Sequence, residues 1–145
     1  MLLINNINFN RQSKTILKDV NFSIPPKGIV HLTGNNGAGK TTLLKIICKI
    51  LNPDDGEIFW NGKNIKKSHY DYCKNITFIL DQNTSNENLT VYENIIFWKK
   101  IFSSQIKINE IESILEVLGL LEYKNTSTIH LSFGEIKKLE LIRLI

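Results

Sequence analysis

The chain has 145 residues, of which 42% are hydrophobic, enough for one domain with a buried core, and no apolar run reaches the ~18 residues that span a bilayer. Its net charge of +4 rests on scattered lysines and two arginines, Arg11 and Arg143, with no clustered basic stripe, which argues against nucleic acid as a partner. Ile, Asn and Lys supply 56 residues and Ala one, a skew toward A/T-rich codons that speaks of the genome rather than the fold.

The start, Met1 to Asn6, lacks a basic segment followed by a long apolar one, so no secretory signal is expected. Leu2 to Phe9, Thr15 to Leu17 and Asn21 to Ile24 alternate apolar and polar residues and predict a small antiparallel sheet. Pro25-Pro26-Lys27-Gly28 is a turn into a short buried strand, Ile29-Val30-His31-Leu32, with His31 as packing. A helix is expected from Thr42 to Leu51, then a turn at Asn52-Pro53-Asp54-Asp55-Gly56. Glu57 to Trp60 reads as a strand ending in the tight turn Asn61-Gly62, and Ile76 to Leu80 as a buried parallel strand. From about residue 83 the pattern is helical. Thr90-x-x-Glu93, Asn109-x-x-Glu112 and Ser132-x-x-Glu135 are helix starts, Gly119 is a stop, and the last helix runs to the end. Cys48 and Cys73 are expected to be reduced packing residues, and His69 and His130 to lack the partners that catalysis or metal binding needs.

Between the expected strand and helix lies Gly34-Asn35-Asn36-Gly37-Ala38-Gly39-Lys40-Thr41, a phosphate-binding loop pattern, followed by Thr42. Glycines let backbone N–H groups turn onto a β-phosphate without Cβ clashes, and the helix N-terminus adds its positive dipole end. Lys40 is placed to bridge the β- and γ-phosphates and the Thr41 hydroxyl to hold Mg²⁺, so a nucleoside triphosphate is the expected ligand. Two further signals follow in order. Gln82 follows the strand expected at Ile76 to Leu80, and Leu131-Ser132-Phe133-Gly134-Glu135 opens a helix.

Phosphate loop, glutamine and LSxG-type helix start, in this order, resemble the ATP-binding subunit of ABC transporters along the whole chain. The resemblance implies an α/β P-loop NTPase of ABC type. It would have an N-terminal antiparallel β-subdomain and an α-helical subdomain, incomplete at the C-terminus. Residues 1–82 would be the β/P-loop core, 83–135 the helical subdomain and 132–145 the signature helix. It further implies ATP and Mg²⁺ as cofactors, with Lys40 and Gln82 acting in catalysis and Thr41 and Gln82 at the metal. Two such subunits face each other head to tail, so Ser132 and the Gly134 N–H would reach the γ-phosphate held by the partner. A transmembrane permease is the other implied partner. The subunit would lie peripherally on the cytoplasmic or mitochondrial matrix face of an inner membrane.

Val30 to Gly37, Gly56 to Trp60, Leu89-Thr90-x-x-Glu93-Asn94-Ile95 and Leu139-x-x-x-Arg143-Leu144 look like the haem-exporter-like branch serving cytochrome c maturation. Where other members place an adenine-stacking aromatic, this chain has Arg11, with Phe9 as the rival. Phe133 and Glu135 depart from the usual LSGGQ; Phe133 is expected to point away from phosphate, and Glu135 to cap Ser132. The Walker B carboxylate, the catalytic glutamate and the switch histidine have no counterpart in these residues. A non-catalytic ATP-binding or assembly module is therefore the alternative, beside the ATPase of another small ABC transporter and a soluble ABC protein. Ile95, Ile96, Phe97, Trp98, Ile101 and Phe102 cover more than one helix face, which suggests one stripe for the core and one for a membrane partner.

Overall fold

The computed structural model describes residues 1–79, 82–102 and 107–144, in two compact units, Met1–Ile76 and Thr77–Ile145. The first unit carries the antiparallel sheet expected from the alternating segments. Its strands are β1 (Leu2–Arg11), β2 (Lys14–Ile24), β3 (Asp55–Trp60) and β4 (Lys63–Asn64), in the order β2-β1-β3-β4. Strict alternation would turn Ile4 and Ile7 to opposite faces. A register shift between them brings both into the core, each fully buried. The shift needs left-handed backbone at Asn6 (φ 48), and a second shift, between Ile7 and Phe9, falls at Asp19 (φ 47) on the opposite strand. Asn and Asp tolerate that conformation, and here their neighbours support it: Asn6 N–H donates to Asn21 Oδ1 at 2.8 Å and Asp19 N–H to Asn8 Oδ1 at 2.9 Å. The Asn61-Gly62 turn has positive φ at both residues (49 and 78), as a two-residue hairpin linking Trp60 to Lys63 demands.

Helix α1 (Lys40–Ile47) lays Leu43, Ile46 and Ile47 against Ile4, Ile7, Leu17 and Ile58. It ends four residues before the expected Leu51. The cause is a paired C-terminal closure, with Lys49 N–H on Ile46 O (3.0 Å) and Ile50 N–H on Lys45 O (2.8 Å) around Lys49 at φ 61. Helix α2 (His69–Lys74) caps this core through Tyr72. Its hydroxyl donates to Ile47 O at 2.8 Å, and its ring meets Trp60 edge-on at 5.9 Å. Burial pushes the Tyr72 phenol well above its ordinary range.

Two expected strands are not formed. Residues 29–32 and 76–79 pair with no strand among the described residues, and Leu80 lies outside them. A buried parallel strand needs a hydrogen-bonded neighbour on each side. With none, Ile29 is 95% exposed, and His31, expected inside, is exposed as well.

The second unit is helical: α3 (Val91–Phe102), α4 (Ile111–Val117) and α5 (Phe133–Leu141). They share a core of Val91, Ile95, Trp98, Ile111, Leu115, Leu120, Leu131, Leu139 and Ile142. The sequence signals at their ends mostly hold. Thr90 N–H donates to Glu93 Oε2 (2.8 Å) and Glu93 N–H to Thr90 Oγ1 (3.2 Å), a reciprocal cap on α3. Gly119 (φ 65) closes α4, with Leu120 N–H on Leu115 O at 2.7 Å. The start at Asn109 is different. A 3₁₀ turn, Ile108–Glu110, precedes α4, the Lys107 N–H donates to Glu110 Oε2 at 3.1 Å, and Glu112 instead pairs with Lys124 at 2.6 Å. Helix α5 stops at Leu141 and tightens into a 3₁₀ turn, Ile142–Leu144, rather than running on to Ile145, which lies outside the described residues. On α3, Ile95 and Trp98 are core while Phe97, Ile101 and Phe102 are exposed, so the wide apolar arc divides into two faces.

Candidate nucleotide site

The hairpin end of β1 and β2 and the loop before α1 enclose a cleft of about 420 Å³, lined by Arg11, Lys14, Ile16, Asn36, Gly37, Gly39, Lys40, Thr41 and Thr42. The loop owes its shape to glycine. Gly34, Gly37 and Gly39 have φ of 140, 83 and 89, values at which a side chain is strained. A Cβ on Gly39 would also lie 2.9 Å from Leu17 Cδ2 and 3.0 Å from Ile16 O, so the loop and β2 approach only because that atom is missing.

Lys40 Nζ folds back onto the loop and donates to Gly34 O (2.7 Å) and Asn35 O (2.9 Å). Asn35 O also accepts the Ala38 N–H at 3.2 Å. The loop therefore has its carbonyls turned to the ammonium. The first bond of α1 runs from Leu43 N–H to Gly39 O at 2.8 Å, so the N–H groups of Lys40, Thr41 and Thr42 precede the helix ladder. Gly39 supplies no side-chain cap and the first turn holds no acidic residue. Nothing on the helix itself satisfies its positive end, and three cations, Arg11, Lys14 and Lys40, share the cleft. The donor set suits an anion with several phosphate oxygens. Of the two rivals for a base-stacking role, Arg11 lines the cleft and Phe9 packs against the core.

The other sequence-derived site residues belong to the second unit. Gln82 is exposed, and its carbonyl accepts Lys137 Nζ at 3.0 Å. Ser132 is the N-cap of α5. Its N–H and hydroxyl both donate to Glu135 Oε2 (2.7 and 2.8 Å), and Glu135 N–H returns to Ser132 Oγ at 3.3 Å. These bonds from Ser132 hold the Glu135 carboxyl below its ordinary range. Phe133 is exposed, with Lys137 Nζ 5.3 Å from its ring centre, and Gly134 has open space around it.

The model of the ABC transporter family matches residues 17–145. The chain belongs to that family. It is 33% identical over 144 residues to the cytochrome c biogenesis ATP-binding export protein CcmA of Legionella pneumophila (strain Lens), and covers 99% of itself and 70% of that protein. The protein of the same name from Vibrio vulnificus (strain YJ016) is 31% identical with the same coverage. Among solved structures, an ATP-binding protein of a putative ABC transporter from Pyrococcus furiosus superposes with a TM-score of 0.85 at 29% identity, over 99% of this chain and 68% of that one. The ATP-binding subunit of another ABC transporter gives 0.82 at 24% identity, with 60% of its length spanned, a likeness of fold. The α/β nucleotide-binding fold of ABC ATPases is thereby shown, with this chain spanning part of it.

The family resemblance leads one to expect the Walker A loop in the segment before α1 and the signature helix at α5. Sequence reading overlooked Lys14 and Ile16 in the cleft and, more consequentially, Glu140. Glu140 interrupts the apolar series Ile136, Leu139, Ile142 along α5 and the turn after it, a signal visible in the sequence. It is buried with 0% exposure.

Proposed function

We propose that this protein binds ATP with Mg²⁺ and couples its hydrolysis to export, as the ATP-binding part of a membrane complex acting in cytochrome c biogenesis, with haem as the cargo. The observation that carries the reading is the cleft at the start of α1. Its glycines, uncapped helix end and three cations form a triphosphate cradle, in a chain similar along 99% of its length to CcmA export proteins. Lys40 takes the β- and γ-phosphates, the N–H groups of the loop and of Lys40, Thr41 and Thr42 at the helix start surround them, that of Ala38 apart, and Arg11 stacks on the base. Among the described residues no His, Cys, Asp or Glu cluster could hold a metal ion unaided. In this reading Mg²⁺ therefore enters with the nucleotide, with Thr41 and Gln82 as its protein contacts. Ser132 and the Gly134 N–H serve the nucleotide of a second, head-to-tail subunit. No helix among the described residues is long and apolar enough to cross a membrane. The exposed Phe97, Ile101 and Phe102 are assigned to a permease, which would hold the subunit peripherally on the cytoplasmic or mitochondrial matrix face of an inner membrane.

Lys40→Ala tests the site. Equilibrium binding of a fluorescent ATP analogue to the full-length protein should weaken by about tenfold or more, since a charge-assisted contact to phosphate is lost. An unchanged dissociation constant would remove the site assignment. Phosphate release by the full-length protein then separates a transport ATPase from a module that binds ATP without turning it over.

A further inference from the structure

The second unit holds a buried charge that the proposed nucleotide chemistry leaves unused. Glu140 lies on the signature helix, two turns beyond the N-cap Ser132, and is fully buried. Its Oε1 accepts both the Thr84 N–H and the Thr84 hydroxyl, each at 2.7 Å, and its Oε2 pairs with Lys137 at 2.7 Å. Around this centre the contacts close on themselves. Lys137 Nζ also donates to the Gln82 carbonyl at 3.0 Å, and Arg143 Nη1 donates to Thr84 Oγ1 at 2.8 Å. The Arg143 guanidinium lies 5.6 Å from the Trp98 ring centre and 5.2 Å from that of Phe102, so aromatic faces hold it in turn.

Packing does not call for a carboxylate here. A buried ion pair is commonly replaced by apolar side chains at no cost, or with a gain, in stability. What an apolar residue could not do is accept the backbone N–H of a loop. The bonds that Gln82 and Thr84 make with Lys137 and Glu140 fall on α5, which is capped by Ser132, and the bond from Arg143 comes from the 3₁₀ turn that continues it. We propose that Glu140 is a positioning residue that clamps the Gln82 loop to the signature helix, making them one mechanical piece. The inference rests on the reading of Gln82 and Ser132 as nucleotide-responsive groups of an ABC ATPase. In a head-to-tail pair these two groups would serve different ATP molecules. A rigid link between them makes the state of one site felt at the other.

The test compares wild type, Glu140→Ala, Thr84→Val and Thr84→Ser in the full-length protein, by amide hydrogen exchange and steady-state ATP turnover. Without nucleotide, Glu140→Ala should raise exchange at Thr84 and Ser85 by about tenfold or more, because a charge-assisted acceptor is lost. With the ATP analogue bound, wild type should gain protection at residues 82–86 and 132–136 together. Glu140→Ala should keep the first gain and lose the second. Turnover should fall about tenfold in kcat, with KM for ATP within about twofold of wild type, since the Walker A loop is untouched. If Glu140→Ala also exposes Ile111 to Leu120, the unit has loosened as a whole, and the Thr84 pair decides. Val should then reproduce the fall in kcat and Ser restore it. Wild-type kcat in Glu140→Ala, or in Thr84→Val where that pair decides, overturns the clamp alone, provided the wild type turns over ATP. A wild type that neither binds nor hydrolyses ATP overturns the functional reading and the clamp with it.

Discussion

At the scale of single residues, the nucleotide site is a matter of missing atoms as much as of present ones. Gly39 shows this most directly, since its φ of 89 and the 2.9 Å gap to Leu17 Cδ2 leave no room for a methyl group. Gly39→Ala should destabilise the first unit by about 1–3 kcal/mol, the range for a strained left-handed residue, read as a lowered urea midpoint. Lys40→Val removes the ammonium that holds the Gly34 and Asn35 carbonyls, and should speed exchange of the loop amides without a comparable loss of global stability. The glycines and Lys40 were legible in the sequence because the pattern encodes a backbone conformation, and conformation is local. Lys14 was not, since its place in the cleft depends on how the hairpin end curls over α1. Glu140 was half legible: a charge inside an apolar stripe announces burial, but its partner Thr84 is 56 positions away.

At the scale of elements, helix ends marked by a local cap were read well, while the ends of α1 and α5 and two of the strands were not. Caps are written in four or five consecutive residues, as at Thr90 to Glu93, Ser132 to Glu135 and Gly119. The misplaced start at Asn109 shows the limit, because Glu112 had a competing cation in Lys124 that no local window contains. Strands depend on neighbours, and Ile29 to Leu32 has the composition of a strand without a ladder to join. The caps and the Glu140 network also set a pH dependence. Burial alone would raise the Glu140 carboxyl, but bonds from Lys137 and from the Thr84 hydroxyl and N–H outweigh it and hold the group below its ordinary value. Glu93, Glu112 and Glu135 are held down as well, chiefly by bonds from Thr90, Lys124 and Ser132. Because the folded state binds these protons less readily than the unfolded chain, the stabilisation is complete above the unfolded value of about 4.3. It drains away as pH falls through the lower folded values. Urea midpoints should therefore drop between pH 6 and pH 3, and Glu140→Gln should flatten part of that decline.

At the scale of the molecule, the chain keeps two separate cores. One lies around Ile4, Ile7, Ile46 and Ile58, the other around Ile95, Leu115 and Leu139. The nucleotide cleft is lined wholly from the first unit, the Glu140 network wholly from the second. Leu115→Ala should cost about 2–5 kcal/mol of the second unit's stability by opening a cavity, while binding of the ATP analogue to the cleft changes less than twofold. Equal losses of stability and of binding would mean that the two cores act as one.

The unpaired run at residues 29–32 carries a consequence for anyone handling these 145 residues. Its peptide groups meet no strand among the described residues, and the Ile29 side chain stands almost wholly in water. Bare backbone beside a bare branched aliphatic is adhesive, and another chain's extended segment can zip onto it. Concentrated solutions of these 145 residues should scatter light and foul columns, with that run as one of the contributors. Ile29→Lys should lower the light scattering measured at equal concentration.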